Sequence, residues 1–297
     1  MNVQGTEVRL KGQLIRMARL DGDKFRFVDD PEPVIEGLKR ARVRVDLFTF
    51  MQRLSDRSPR FKYPMEWDNF AAIPISTFEE WWNKQIGFKA RNKAKQAEKK
   101  GVVLREVAFS EELVRGIWAI YNECPIRQGR KFPHFGKSME TVYKEEATYL
   151  ESSIFIGAFF QDCLIGFAKL LLDESGSQAG LLNIVSYISE RDKAPTNALV
   201  AWAVKACAAR GVSYLTYANF SYGKKQSDSL SDFKERNAFQ RIEVPRYFVP
   251  MTPLGHLALK LGLHHRISER IPEPIAARFR EFRDAWYKRR FSTLEAS

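Results

Sequence analysis

Apolar residues recur along the chain with two spacings, one typical of strands and one typical of helices, which predicts a mixture of both. The runs Ile154 to Phe160, Cys163 to Leu172 and Gly180 to Ser189 are rich in apolar and β-branched side chains. Short polar segments separate them, so we expect an antiparallel meander. Residues Ala194 to Arg210 follow with apolar side chains at helical spacing, and Gly211 ends this helix.

The rest of the pattern predicts elements on both sides of this meander. Before it we expect a hairpin over Glu7 to Val28 that turns at Asp21-Gly22-Asp23, a helix over Pro33 to Arg42, strands at Val43 to Met51 and Phe70 to Ile75, a helix from Ser76 or Thr77 to about Lys100, a strand at Val102 to Phe109, and helices from Ser110 to Asn122 and from Ser138 to Leu150. After it we expect strands at Val212 to Phe220 and Phe239 to Val249, a short helix at Leu230 to Asn237, and helices at Pro253 to Leu261 and Glu273 to Arg290.

The order β-β-β-α-β-α-β from Ile154 onward predicts an α+β core with a mostly antiparallel sheet, flanking helices and one pair of splayed strands. Such a splay exposes backbone groups and offers a carrier molecule a place to lie. We divide the chain into a β-rich segment 1–75, a core 76–252 and C-terminal helices 253–297 that pack on the core.

The charge favours an anionic partner. Lys and Arg number 48 against 36 Asp and Glu, a net charge of +12. Nucleic acid, a phosphorylated cofactor or an anionic surface would each suit it, and so would a solvated basic surface without a partner. The three cysteines and four histidines lack metal-ligand spacing, so we expect no metal site and a reducing, cytoplasmic location. No secretory signal or membrane-spanning run is expected.

Several segments resemble a known superfamily. The basic stretch from Asn83 to Val107 is similar to the connecting helix of FemAB-like members of the GNAT superfamily, and the runs from Ile154 and Leu164 are similar to the GNAT β-hairpin. The segment from Tyr214 to Asn219, followed by Phe233-Lys234, resembles the late strand and the Phe-Lys motif of FemAB-like transferases. The first 75 residues are then a candidate for a reduced first half of a double arrangement.

The resemblance implies an N-acyltransferase that moves an acetyl, acyl or aminoacyl group to a primary amine. Acetyl-CoA or another acyl-CoA is the donor of classical GNAT enzymes, and aminoacyl-tRNA is the donor of FemAB-like ones. The classical pyrophosphate loop, Arg/Gln-x-x-Gly-x-Gly/Ala, corresponds here to the segment Arg191 to Asn197, which contains no glycine. The donor therefore stays open between CoA and tRNA.

Donor binding is expected around the last strand of the meander and the following helix. Backbone N–H groups from Ile184 and Val185 to Tyr187 are candidates to hold the acyl carbonyl. The helix that begins near Pro195 offers an anion site at its N-terminus, with the cations Arg191 and Lys193 and the polar residues Thr196 and Asn197. An ordinary helix start with solvated cations is the alternative.

Four residues are candidates for the chemistry. Tyr217 is a candidate acid for the leaving group, Tyr187 is the competing choice, and Lys234 is placed to face an oxyanion or a phosphate. Asn219 is a candidate to orient the substrate. A partly buried strand aromatic and a surface lysine are the structural alternatives. Asp228 and Asp232 are weaker candidates for a base.

Two basic segments suggest further partners. The loop with Arg127, Gln128 and Arg130 is dense in donors and is expected to bind the acceptor, with Phe132 and Phe135 as stacking surfaces. The predicted helix from Lys84 to Lys100 carries a row of cations that would suit tRNA or another nucleic acid. A non-catalytic nucleic-acid-binding protein on a GNAT-like scaffold is therefore the alternative function.

Overall fold

The computed structural model describes residues 1–127, 130–220 and 229–265, together with Arg278 and Phe282. The strands are β1 Asn2–Val3, β2 Thr6–Lys11, β3 Met17–Leu20, β4 Leu47–Met51, β5 Met65–Pro74, β6 Val103–Val107, β7 Ile126–Arg127, β8 Arg130–Lys131, β9 Ser153–Phe160, β10 Cys163–Leu172, β11 Gln178–Ser186, β12 Tyr214–Thr216 and β13 Gln240–Pro250. The α-helices are α1 Glu32–Arg40, α2 Phe78–Glu80, α3 Phe88–Lys99, α4 Glu111–Tyr121, α5 Met139–Glu146, α6 Pro195–Ala209, α7 Ser229–Arg236 and α8 Pro253–Lys260.

A mixed sheet of eleven strands forms the centre of the described chain, in the order β1-β2-β3-β4-β13-β5-β12-β11-β10-β9-β6. Its neighbours are antiparallel except for the pairs β3–β4 and β11–β12. Helices cover both faces: Ile156 and Ala168 face the core that α3 and α6 complete, whereas Phe155 and Phe167 face α4 and α5. The predicted α+β class with a mostly antiparallel sheet is confirmed.

The sheet also bears on the proposed division of the chain. Strand β13 lies between β4 and β5, so hydrogen bonds run without interruption across the boundary after residue 75. The division into 1–75, 76–252 and 253–297 stays a prediction. The helix expected at Glu273 to Arg290 lies outside the described residues apart from Arg278 and Phe282. In the part of the chain that the structure describes, no helix has both the length and the apolar character of a membrane span.

The N-terminal hairpin turns at a different place from the one expected. Strand β2 pairs with β3, so the connection runs through residues 12–16 and not through Asp21-Gly22-Asp23. Phe25 and Phe27 lie outside any strand. A Cβ on Gly180 would lie 1.9 Å from Cδ1 of Phe25, and Phe27 is buried beside Met51. Packing of these rings on the sheet overrides their strand propensity.

The prediction of one continuous basic helix up to Lys100 is wrong. It consists of α2, a π-helical segment Trp81–Gln85 and α3, with extended backbone at Ile86 and Gly87 between them. The Gly87 N–H donates to the Arg236 carbonyl at 2.9 Å, and a Cβ there would lie 2.9 Å from the same oxygen. Close contact with the end of α7 therefore breaks the helix at the one residue that lacks a side chain.

An ion network joins distant segments behind the central strands. Oδ2 of Asp68 accepts from Lys24 at 2.8 Å and from Arg246 at 2.9 Å, while Oδ1 accepts from the Asn219 amide at 2.9 Å. Burial alone would raise the pKa of Asp68, but the Lys24 and Arg246 charges outweigh it and lower this pKa to about 2. The charged carboxylate therefore stabilises the fold.

An Asp68→Asn variant is expected to lose about 2 kcal/mol of unfolding free energy at pH 7, since one pKa unit corresponds to about 1.4 kcal/mol. The folded pKa lies below the unfolded one, so this contribution is complete above about pH 5 and disappears as pH falls towards 2. Urea unfolding at pH 7 and at pH 2.5 measures it. The exposed Glu174→Gln serves as the control, and an equal difference at both pH values would contradict the assignment.

Candidate functional site

Strands β11 and β12 separate after a short pairing. They pair only from Gln178↔Tyr214 to Gly180↔Thr216. Beyond that point β11 continues to Ser186 along β10, while Tyr217 and Ala218 hydrogen-bond to Ala71 of β5. A cleft of about 980 Å³ opens between the two strands. The splayed pair expected from the sequence is therefore present in the described chain.

Two backbone irregularities produce this separation. The register of β10 and β11 shifts between Lys169↔Asn183 and Leu170↔Leu181, so Leu182 is an extra residue that bends β11. On the other side, Ala218 has φ of 47°, in the left-handed region. Strand β12 thus ends at Thr216, whereas the sequence predicted that it would continue to Phe220.

The free edge of β11 presents two main-chain N–H groups to the cleft. The Tyr187 N–H donates to the Ile165 carbonyl at 2.9 Å, so the N–H of Tyr187 points at β10. Because hydrogen bonding alternates along an antiparallel strand, the Val185 N–H points at β10 as well. Ile184 and Ser186 therefore direct their N–H groups away from β10. Of the backbone donors proposed from the sequence, these two face the cleft, and since they lie roughly 6.6 Å apart along the strand, one carbonyl oxygen can bond to only one of them.

The N-terminus of α6 faces the same cleft. Ala194, at the N-cap, has φ of 53° and ψ of 41°, so an alanine occupies the left-handed conformation that glycine usually adopts. The loop thus makes a sharp turn without glycine. Thr196 and Asn197 lie in the first helical turn and line the cleft. Their main-chain N–H groups and the helix dipole favour an anion here.

The cleft is strongly cationic. No Asp or Glu occurs among its described lining residues, whereas seven cationic side chains line it: Lys89, Lys93, Arg127, Arg130, Lys131, Arg191 and Arg236. Lys193 is not among them, because its ammonium pairs with Glu190 at 2.5 Å and lies 4.6 Å from the centre of the Phe160 ring. Arg191, on the same turn, is exposed to the cleft.

The two candidate tyrosines lie on opposite sides of the cleft, and both line it. Burial and the nearby Glu123 carboxylate raise the pKa of Tyr187, so this phenol keeps its proton at neutral pH. The Tyr217 ring packs against Phe239, with 5.9 Å between the ring centroids and an angle of 49° between the ring planes. The fully buried Lys234 places its ammonium 4.8 Å from the centre of the Tyr217 ring and donates to the Asn219 carbonyl at 2.5 Å.

Lys234 and Asn219 lie behind the cleft and not on its lining. The side-chain NH₂ of Asn219 donates to Asp68, and the main-chain carbonyl of Asn219 accepts from Lys234. This arrangement lets both residues fix the backbone that carries Tyr217. Asp232 is exposed and lies 3.8 Å from Arg236 on α7, and Asp228 lies outside the described residues.

Arg127 anchors the loop that was expected to bind the acceptor. Its guanidinium donates to the carbonyls of Ser186 and Ile120 at 2.7 Å and to Glu123 at 3.1 Å, and it lies 4.6 Å from the centre of the Phe132 ring. Arg130 and Phe132 line the cleft. Phe135 is exposed and not on the lining, and Gln128 lies outside the described residues.

Glu123 was not singled out from the sequence, because it lies past the end of α4 and its partner Arg127 lies in β7, so helical spacing gives no signal for the pair. Its carboxylate accepts from the N–H groups of Ile188 and Ser189 at 2.6 and 2.9 Å. Burial acts to raise the pKa of Glu123, but these N–H groups and Arg127 outweigh it and lower this pKa. Glu123 thus fixes the chain that leaves β11.

The cations of α3 form a surface that leads into the cleft. Ala90, Ala94 and Ala97 are buried against the core, so the lysines between them point outwards. Lys89 and Lys93 reach the cleft lining. Lys84 belongs to the π-helical segment and pairs with Glu80 at 2.9 Å, which separates it from this surface.

A buried polar cluster lies behind β11, on the side of α4 and α5. Oε1 of Glu146 accepts from the Tyr121 hydroxyl and the Asn183 amide, both at 2.9 Å. The Lys169 ammonium lies 3.9 Å from the other oxygen of Glu146 and donates to the carbonyls of Glu146 and Thr148. Burial raises the pKa of Glu146 and lowers that of Lys169. Lys169, a charge within an apolar run, was the sequence signal for this cluster.

Comparison with known proteins shows similarity in structure but not in sequence. No protein-family model matches the chain, and no curated protein matches it. Among solved structures, the C-terminal domain of a protein described as a lysylphosphatidylglycerol synthetase from Agrobacterium fabrum is 14% identical, with a TM-score of 0.55 over 85% of this chain and 83% of that one. L-PGS from Bacillus licheniformis is 12% identical, with a TM-score of 0.53 over 86% and 84%. FemX is 14% identical, with a TM-score of 0.48 over 78% and 72%.

The first two similarities extend over most of both chains and show a common fold. The chain therefore has the α+β fold of these two synthetase structures, which agrees with the GNAT-like fold that the sequence resemblance implied. At these identities the similarity carries the fold alone, and the chemistry must be argued from the cleft.

Proposed function

We propose that this protein is a transferase that moves an aminoacyl or acyl group to a primary amine, with aminoacyl-tRNA as the favoured donor and acyl-CoA as the other. The supporting observation is the cleft between diverging strands, in which two backbone N–H groups and a helix N-terminus lie within a ring of seven cations. Donors aimed at a developing oxyanion and cations placed for phosphates suit acyl transfer from a phosphorylated carrier.

The distribution of charge favours the larger donor. The cations come from α3, from strands β7 and β8, from the turn before α6 and from the end of α7, so they surround the cleft instead of clustering at one point. Acyl-CoA has few phosphates to occupy them, whereas the backbone of a tRNA acceptor end offers a phosphate at each nucleotide. Phe132, on the lining, offers a ring on which a terminal base can stack.

The cleft supplies the groups that the reaction needs. The Ile184 N–H holds the carbonyl oxygen while the amine nitrogen attacks the carbonyl carbon and a new N–C bond forms, and the Ser186 N–H, roughly 6.6 Å further along the strand, is left for another acceptor atom of the donor. The C–O bond to the ribose, or the C–S bond to CoA, then breaks. Tyr217 or Tyr187 gives its proton to the departing oxygen or sulfur, and the proton lost by the amine returns the phenol to its neutral form through solvent.

The acceptor is tested over two classes. A primary amine follows from the resemblance, while the name of the similar synthetase points to transfer onto phosphatidylglycerol. The purified chain is incubated with lysyl-tRNA labelled in its lysine and, separately, with labelled acetyl-CoA. Each incubation contains either one of a panel of primary amines or vesicles of phosphatidylglycerol as the acceptor. Label that moves from tRNA to a primary amine supports the proposal; label that reaches only phosphatidylglycerol, whose nucleophile is a hydroxyl, overturns the amine as acceptor; label from acetyl-CoA alone replaces the donor, and no transfer to any acceptor overturns the proposal.

The second candidate function is nucleic-acid binding without catalysis, which the exposed lysines of α3 favour. In this case RNA would bind on α3 and remain unreacted. The cleft cations distinguish the two, because they matter for tRNA only if its end enters the cleft.

Replacing Arg130 and Arg191 together by Gln is expected to lower the slope of log affinity for tRNA against log salt by about 2, roughly one for each phosphate contact removed. Both side chains are exposed and line the cleft. Filter binding between 50 and about 300 mM salt measures the slope. The control removes two exposed cations elsewhere, Lys39→Gln with Lys62→Gln. An equal change in both double variants would place RNA outside the cleft.

A further inference from the structure

Two adjacent histidines and a glutamate meet at the far end of the central strands. Nε2 of His264 lies 2.8 Å from Oε1 of Glu66, and Nε2 of His265 lies 3.2 Å from the same oxygen. The two rings are 4.0 Å apart between centroids. Three donor atoms from residues almost two hundred positions apart in sequence thus converge on one point, within 4.8 Å of one another.

The spacing of these atoms fits a tetrahedral metal ion. At metal–nitrogen and metal–oxygen bonds of about 2.0–2.1 Å, neighbouring ligand atoms are separated by roughly 3.3 Å. The two observed separations, 2.8 and 3.2 Å, need to lengthen by about 0.5 Å at most, and the third pair of ligand atoms lies within 4.8 Å. Glu66 and His265 are partly exposed, so an ion can enter and water can complete its coordination.

The surroundings hold the histidine ligands before any ion arrives. His264 is buried, its ring packs on Phe248 at 4.6 Å, and its Nδ1 has no hydrogen-bond partner among the described residues. A metal ion bound at Nε2 would take the place of the hydrogen-bond proton between this nitrogen and Oε1 of Glu66, so the ring would not have to turn. The nearest cross-strand cation, Arg246, is engaged by Asp23 and Asp68.

We infer that Glu66, His264 and His265 form a binding site for a divalent transition metal ion of the Zn²⁺ type. Two imidazole nitrogens and one carboxylate are borderline ligands that suit zinc, nickel or copper, whereas Mg²⁺ and Ca²⁺ prefer oxygen ligands throughout. This inference departs from the expectation of no metal, which rested on ligand spacing in the sequence.

The position of the site indicates a structural role. Glu66 precedes Ala71, the β5 partner of Tyr217, by five residues, which corresponds to roughly 17 Å of strand. An ion there does not reach the cleft. It would instead fasten the segment that follows α8 to β5, because the two histidines come four and five residues after the end of that helix and Glu66 belongs to the strand.

The full chain, stripped with EDTA and then dialysed free of it, is titrated with ZnCl₂ by calorimetry at pH 7.5, with MgCl₂ in a parallel titration. One equivalent of zinc is expected to bind and to raise Tm, and magnesium is expected not to bind. His265→Ala and Glu66→Gln are each expected to weaken zinc binding at least about tenfold. His256→Ala, an exposed histidine on α8, is the matched control and should bind as the parent does.

The result that overturns the inference is the absence of zinc binding, or binding that survives in both ligand variants. Loss of affinity in the His256 variant to the same extent would show scattered surface binding and would also overturn it. Circular dichroism and the Tm measured without metal show that each variant is folded. Because His265 is partly exposed, its replacement keeps the test usable even if a variant at the buried His264 does not fold.

Discussion

Ile184→Pro is expected to slow group transfer by about 10²- to 10³-fold, corresponding to about 2.7–4 kcal/mol of transition-state stabilisation. Proline lacks the main-chain N–H that Ile184 directs into the cleft, and it leaves the hydrogen bonds to β10 in place because those belong to the neighbouring residues Val185 and Tyr187. Single-turnover transfer from the donor that proves active measures the change.

Two controls separate the N–H group from the side chain and from the fold. Ile184→Val keeps the N–H, changes one methylene and is expected to stay within about threefold of the parent. Val185→Pro removes an N–H that points at β10, so it should destabilise the sheet and thereby behave differently from Ile184→Pro. If Ile184→Pro were folded and fully active, the oxyanion assignment would be wrong.

Lys169→Met is expected to lower the free energy of unfolding by about 3–5 kcal/mol, the largest stability effect that the structure predicts. The ammonium is almost fully buried and supplies hydrogen bonds to the Glu146 and Thr148 carbonyls. Without it, the buried Glu146 carboxylate loses its only cationic neighbour at 3.9 Å in the described structure. Urea unfolding at pH 7 gives the value.

A double-mutant cycle tests whether the charge pair causes this loss. Glu146→Gln can still accept from Tyr121 and Asn183 through its Oε1, so it removes the charge and keeps both hydrogen bonds. The double variant Glu146→Gln with Lys169→Met is expected to be more stable than the sum of the single losses by at least about 1 kcal/mol. Strict additivity would show that Lys169 acts through the two carbonyls alone.

The sequence alone determined the local elements and their class. Apolar runs with polar turns gave the meander as β9, β10 and β11, and Ser110 caps α4 by accepting from Leu113 as its position suggested. These features depend on side chains a few residues apart. The cationic segments around Arg130 and Arg191 were also visible in the sequence, because their basic residues lie close together along the chain.

Tertiary contacts decided the features that shape the cleft and the distant ion site. Gly87 breaks the basic helix because α7 lies against it, Ala194 adopts a left-handed turn without glycine, and Leu182 becomes a bulge. In each case a neighbour remote in sequence selects the backbone conformation. His264 and Glu66 likewise meet only after β5, β13 and α8 have packed. Periodicity records which face of an element is apolar, but it holds no information about which other element will cover that face.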